Sequence, residues 1–245
     1  MDYEGFKTEI YNLTGINLSL YKEKQMKRRI NSLIDRNGYS GYDDYLFEIK
    51  RNEKLFNEFI NYLTINVSEF YRNPDQWEGL KETIYPYLLE MSRPPRIWSS
   101  ACSTGDEPYT LVMTLNEFLP LNEIRIIATD IDREALRKAK EGRYSEKSIE
   151  KLPKKYIDKY FEKQGPVYTI KDEVKSRVEF GQLNLLKDKY PVNCDMIVCR
   201  NVLIYFTEEA KTQIYYNFNK ALKKGGILFV GSTEQILMPQ RYGLS

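Results

Sequence analysis

Histidine is missing altogether from the 245 residues, and its absence excludes more chemistry than any residue present. It removes imidazole acid–base catalysis, Ser/His and Cys/His nucleophile pairs, and nearly all zinc sites. A reaction here must need no base near neutral pH or draw on Asp, Glu, Tyr or a bound cofactor. Cysteine is scarce. Cys102, Cys194 and Cys199 form an odd set without CxxC spacing, which reads as reduced, mostly buried thiols and not as a disulfide framework or metal cluster. Long apolar runs are lacking, so no stretch suits a bilayer span, and Met1-Asp2-Tyr3-Glu4 opens no secretory signal. A strong charge of one sign is lacking too. A net +2 argues against a dedicated nucleic-acid binder while leaving room for a local basic face. The expectation is a cytoplasmic protein without direct membrane insertion.

What is present suits one large α/β domain plus a small accessory domain. Residues 1–72 read as short helices. Phe6, Ile10 and Leu13 recur at helical spacing, with Thr14-Gly15 as a stop; Met26, Ile30, Leu33 and Ile34 form a second stripe ended by Asn37-Gly38. Lys24 and Arg28 lie opposite that second stripe, with Lys27 on its flank, as either a solvated face or a docking surface for an acidic partner. Residues 73–94 read as a linker carrying one helix, Gln76 to Met91, restricted by Pro86. From residue 95 to 245 strand and helix patterns alternate, implying a doubly wound, mostly parallel sheet. A small antiparallel excursion breaks that rhythm over about residues 163–180.

The loop Ser99-Ser100-Ala101-Cys102-Ser103-Thr104-Gly105-Asp106-Glu107-Pro108-Tyr109 joins a strand to a helix. Small residues there let a ligand lie against the backbone and the helix N-terminus. Twenty-five residues beyond Gly105, Asp130 closes the next strand, the spacing of an acid that receives ribose hydroxyls. Glu107 is a candidate cofactor contact or a helix-dipole cap. Asn184 is a candidate for an adenine edge or a turn residue. Arg200 and Asn201 end an apolar strand where cofactor and substrate would meet, and Tyr205 is either a site residue or core. Asn66 and Ser68 read first as caps, whereas the planar fork of Arg72 matches a carboxylate.

Together these segments resemble the chemotaxis receptor methyltransferases, the CheR family. The resemblance is carried by Thr64-Ile65-Asn66-Val67-Ser68-Glu69-Phe70-Tyr71-Arg72, by Trp98 through Tyr109, by Ala128-Thr129-Asp130-Ile131-Asp132, by Asn184-Leu185-Leu186, and by Cys199 through Phe206. It implies a small all-α domain followed by a Rossmann-like methyltransferase sheet with an inserted antiparallel β-subdomain. It implies S-adenosylmethionine as cofactor, S-adenosylhomocysteine as product, and receptor glutamates as methyl acceptors.

By the same resemblance, Asn66, Ser68 and Arg72 reach the cofactor from the helical side. Ala101 and Glu107 do so from the loop, Asp130 at the ribose, Asn184 and Leu185 at the adenine, and Arg200 and Asn201 near the methionine part. Arg72 and Tyr205 stand nearest the transferred methyl as catalytic residues, and no metal is implied. Lys24, Lys27 and Arg28 become a docking face for the cytoplasmic helical domain of receptors, with the enzyme a monomer. In some members the inserted hairpin grips a receptor tail; the short loop Lys163 to Val167 argues against that here. The family sheet ends in a further antiparallel strand, and this sequence is expected to stop just before it.

Two rival readings differ in class. A methyltransferase for small molecules or nucleic acid would carry an Asn/Asp-Pro-Pro-Tyr type loop or a basic cleft, and Arg200-Asn201-Val202 is neither. A cofactor-binding sensor without catalysis would use the helical module only to grip a partner.

Overall fold

The computed structural model describes residues 1–244. Four helices build the N-terminal module: α1 (Tyr3–Thr14), α2 (Glu23–Arg36), α3 (Tyr42–Ile49) and α4 (Glu53–Thr64). Asp2 caps α1 by accepting from Gly5 N–H, and Asn52 caps α4 through Leu55 N–H. Gly15 ends α1 at φ +72°, returning its N–H to the carbonyl of Tyr11. The apolar stripes meet in one core around Phe6, Ile10, Ile30, Tyr45 and Phe59, all completely buried.

Residues 73–94 are not a linker. They hold α5 (Pro74–Gly79) and α6 (Tyr85–Met91), joined through a π-turn at Leu80–Ile84. Tyr85 N–H reaches back to the Leu80 carbonyl, and Pro86, which has no N–H to give, follows that wider turn. Trp77, Leu80, Tyr85 and Leu88 are buried in the same core as the sheet. At about 1.5–3 kcal/mol for each large apolar side chain taken out of water, that burial makes the segment part of the domain.

The main sheet contains β1 (Ile97–Ser99), β2 (Ile126–Asp130), β6 (Val178–Gln182), β7 (Cys194–Cys199) and β8 (Leu222–Val230). Its order is β6-β2-β1-β7-β8, with every neighbouring pair parallel. Both faces are covered, as parallel strands require. Met196 and Val198 face one core with Trp77 and Leu111; Ile197 and Cys199 face the other with Ile214 and Phe218. Those covering residues sit on α5, on α7 (Asp106–Leu115) and on the helix Glu208–Ala221. The register of β8 on β7 jumps from Cys194↔Leu222 to Met196↔Ile227, so Gly225 and Gly226 occupy a bulge within the strand.

The inserted sheet lies earlier than the sequence pattern suggests. It is antiparallel, in the order β3-β5-β4, formed by Arg143–Ser145, Val167–Ile170 and Phe161–Gln164. Val178–Gln182, expected in the excursion, instead pairs in parallel with Ile126–Asp130. The first inserted strand escapes a pattern search because Tyr144 alone is buried in it.

Candidate active site

The chain runs outward from β1 to β2 and β6, then returns to β7 on the other side of β1. The strand order therefore reverses between β1 and β7, and ligands of open α/β sheets bind beyond the carboxyl ends at such a point. A cleft opens there. Asn66, Ser68, Arg72, Ala101, Glu107, Asp130, Asn184, Leu185, Arg200, Asn201 and Tyr205 all line it.

The loop after β1 is built by backbone bonds across the sheet. Cys102 N–H donates to the Thr129 carbonyl at 3.0 Å, and Ser103 N–H donates to Asp130 Oδ2 at 2.7 Å. Gly105 takes φ +91°, and a Cβ there would meet Ala139 Cβ at 3.0 Å, Tyr109 Cε2 at 3.1 Å and Tyr144 Oη at 3.1 Å. The glycine clears room for α8 (Arg133–Glu141) and the inserted sheet, not for a ligand. That overturns its expected purpose.

Asp130 is a buried carboxylate holding two N–H donors, those of Ser103 and Asp132. Burial pushes its carboxyl up to about 6, with those backbone donors opposing the shift. Asp132 does more than cap α8, which it does through Oδ1. Its Oδ2 accepts from Thr64 Oγ1 at 3.0 Å and Asn66 Nδ2 at 2.7 Å. Asn66 Oδ1 in turn accepts from Ser103 Oγ at 2.9 Å. Asn66 thus spans from α4 to both cofactor-side loops, and its amide is committed to protein partners.

Arg200 is fixed by three acceptors: the Arg72 carbonyl at 2.6 Å, Gln76 Oε1 at 2.8 Å and Asn73 Oδ1 at 3.3 Å. Its Nη1 lies 3.5 Å from Glu107 Oε2, with both side chains largely buried. Burial raises the Glu107 carboxyl, while Arg200 and the Ser99 hydroxyl, bonded at 2.8 Å, favour its charged form. Ser68 stands beside the buried Asp106 carboxyl. Arg72 is half-buried and donates from Nη1 to the Val67 carbonyl at 3.1 Å. Asn184 closes its own turn, its Oδ1 accepting from Leu186 N–H at 2.9 Å, which leaves its amide N–H₂ to face a ligand.

These walls fit a nucleoside sulfonium. Two carboxylates suit its cationic centres and hydroxyls, and Ile131, Leu183 and Leu185 supply an apolar face for a base.

The CheR methyltransferase SAM-binding domain model matches residues 66–244, and the CheR all-alpha domain model matches residues 1–64. The chain belongs to the CheR methyltransferase family. The chemotaxis protein methyltransferase of Listeria monocytogenes is 41% identical over 245 residues, covering 100% of this chain and 94% of that protein. Those of Borreliella burgdorferi and Escherichia coli are 36% and 33% identical, covering 93% and 92% of this chain and 85% and 81% of theirs. S-adenosylmethionine is its cofactor, and its reaction is a cofactor-dependent methylation in chemotactic adaptation.

Two residues of this CheR chain, Glu234 and Tyr21, escaped the motif reading, and a third, Asp132, stood in a quoted segment with no site role assigned. Glu234, 5% exposed, accepts from the backbone N–H groups of Asn201, Leu203 and Gly231. It thereby pins the Arg200–Tyr205 loop, in which Asn201 takes φ +59°. Asp132 carries the bond to Asn66, and Tyr21 lines the cleft from the helical module. Asp132 was visible only as the end of the Ala128–Asp132 segment, and nothing in sequence distance joins Glu234 or Tyr21 to the motifs.

The basic residues of α2 are elsewhere. Lys24, Lys27 and Arg28 are exposed and do not line the cleft, with Lys27 Nζ 5.2 Å from the Tyr3 ring. Arg29, half-buried, and Arg36, exposed, both lie over the Tyr62 ring, and Arg36 pairs with Glu58. Among the described residues no helix is long and apolar enough to cross a membrane, and no acidic, Cys or His cluster suits a metal.

Proposed function

We propose that this chain transfers a methyl group from S-adenosylmethionine to glutamate side-chain carboxylates of chemotaxis receptors, giving glutamyl methyl esters. The observation that carries the reading is a cleft with a half-buried arginine, Arg72, at its wall and no histidine anywhere in the chain. A site so built suits an acceptor that is already anionic. A glutamate carboxyl titrates near about 4.3 and so needs no base near neutral pH. The cofactor supplies an electrophilic methyl on a sulfonium sulfur.

The chain's own task is then positioning, which supplies a large share of the barrier reduction in such transfers. Asp130 accepts from the ribose hydroxyls, while Asn184 and Leu185 flank the adenine. Glu107, Arg200 and Asn201 surround the methionine part, joined by Ala101 and Ser68, and Asn66 holds their loops together. Arg72 or Tyr205 holds the acceptor carboxylate in line with the sulfur–methyl bond. Lys24, Lys27 and Arg28 dock the cytoplasmic helical domain of the receptor, whose acidic stretches complement that face.

Incubation with methyl-labelled S-adenosylmethionine and receptor cytoplasmic fragments tests this. The expected product is a base-labile ester on receptor glutamate. Cofactor binding without labelled receptor would favour a sensor, and a base-stable product would identify another acceptor.

A further inference from the structure

Between α1 and α2 the chain makes a short 3₁₀ turn, Leu18–Leu20, and then meets the sheet domain. Thr207 N–H donates to the Leu20 carbonyl at 2.9 Å, and Lys22 N–H donates to the Tyr205 carbonyl at 2.9 Å. Between these two bonds Tyr21 faces Phe206 as an antiparallel bridge, with ring centroids 4.9 Å apart. Tyr21 is thus held on both sides against the loop that carries Tyr205, and its side chain lines the cleft shared by Asp130 and Leu185.

The hydroxyl is the part that bears on a ligand. Burial, and secondarily the Asp130 carboxylate, raise it above the ordinary phenol range, and no hydrogen bond offsets the shift. Tyr21 is half-buried, so its hydroxyl is within reach of whatever occupies the cleft it lines. Here the neutral O–H stands near Asp130 and opens on the cleft, a geometry in which a ligand hydroxyl completes both groups.

We infer that Tyr21 is a cofactor-binding residue: its ring closes the adenosine end of the cleft, and its hydroxyl shares the ribose hydroxyls with Asp130. The helical module would then supply part of the cofactor site as well as a receptor-docking face. This rests on the S-adenosylmethionine reading of the cleft.

The test is isothermal titration of the full chain with S-adenosylhomocysteine and with its 2′-deoxy and 3′-deoxy ribose analogues. Tyr21→Phe, which removes one oxygen and keeps the ring and both backbone bonds, is expected to weaken S-adenosylhomocysteine binding about three- to ten-fold, the range of one neutral hydrogen bond. One deoxy analogue should lose less affinity in Y21F than in the wild type, by a similar factor, because the two changes remove the same contact. Thermal melting verifies that Y21F is folded. Equal binding by wild type and Y21F, or penalties that simply add, would overturn the inference while leaving the cofactor reading intact. Absence of binding by the wild type would overturn both.

Discussion

Asn66 Nδ2 donates to Asp132 Oδ2 at 2.7 Å across the junction between the helical module and the sheet domain. With Thr64 Oγ1 on the same oxygen and Ser103 Oγ on the other end of the amide, four residues tie α4 to both loops that flank the cleft. Asp132→Asn keeps the α8 cap on Oδ1 but turns an amide N–H₂ toward two donors. We expect a loss of about 2–3 kcal/mol, since charge-assisted bonds are replaced by opposed donors. Urea unfolding measures it, and an unchanged midpoint would show that the junction carries no stability.

Glu234→Gln leaves at least one of the three loop N–H groups without an acceptor, at a cost of about 1–3 kcal/mol. Because Glu234 pins Asn201 and Leu203, turnover should fall more than cofactor affinity does. A variant with equal losses in both would assign Glu234 to general stability alone.

Arg72→Ala should reduce turnover at saturating cofactor and receptor by at least about tenfold, the effect of losing an orienting charged hydrogen bond. Among the described residues the guanidinium has a single protein hydrogen bond, to the Val67 carbonyl, so little structure is lost with it. Near wild-type turnover would remove Arg72 from the role of orienting the acceptor.

Reversing charge at Lys24 and Arg28 should raise the receptor KM several-fold and steepen no other parameter, because both are exposed and lie outside the cleft. The effect should shrink as salt screens the contact. An unchanged KM at low salt would sink the docking assignment.

Cofactor affinity should depend on pH through Asp130, which burial moves from 3.8 to about 6. Ribose hydroxyls donate to the ionised carboxylate, so S-adenosylhomocysteine affinity should climb as pH rises through about 6 and level off above it. Stability runs the other way. A carboxyl that binds its proton more tightly when folded contributes most to folding below its unfolded pKa, and that contribution is lost as pH rises through the folded value. Burial also raises Glu107, so the difference between wild type and Asp130→Asn isolates Asp130. A pH-independent difference in affinity would count against its role at the ribose.

Much of this was legible in residue order. The helix Arg133–Glu141 and the helix Glu208–Ala221 have the bounds that capping and period imply. Alternation of apolar strands with amphipathic helices reads as a parallel sheet, and the residues expected at the cofactor and the methyl line one cleft, while Lys24, Lys27 and Arg28 lie outside it. The inserted strand Arg143–Ser145 was not legible, because one buried tyrosine in three residues makes no period. Nor was the core role of residues 73–94, whose burial depends on a sheet assembled from strands far away in sequence.

Residue identity and order set the chemistry available: no imidazole, carboxylates and arginines in its place, and short signatures whose spacing fits a nucleoside cofactor. Those properties are local, fixed by residue identity and by turn and helix preference. Tertiary structure alone decided which groups act together. It put Asp132 on Asn66, Glu234 beneath Asn201, and Tyr21 into the cleft beside Asp130. It also gave Gly105 to packing against Ala139 and Tyr144 and not to the ligand. Such pairings follow from where the sheet reverses its order and how the helical module docks on it, and sequence separation carries no measure of either.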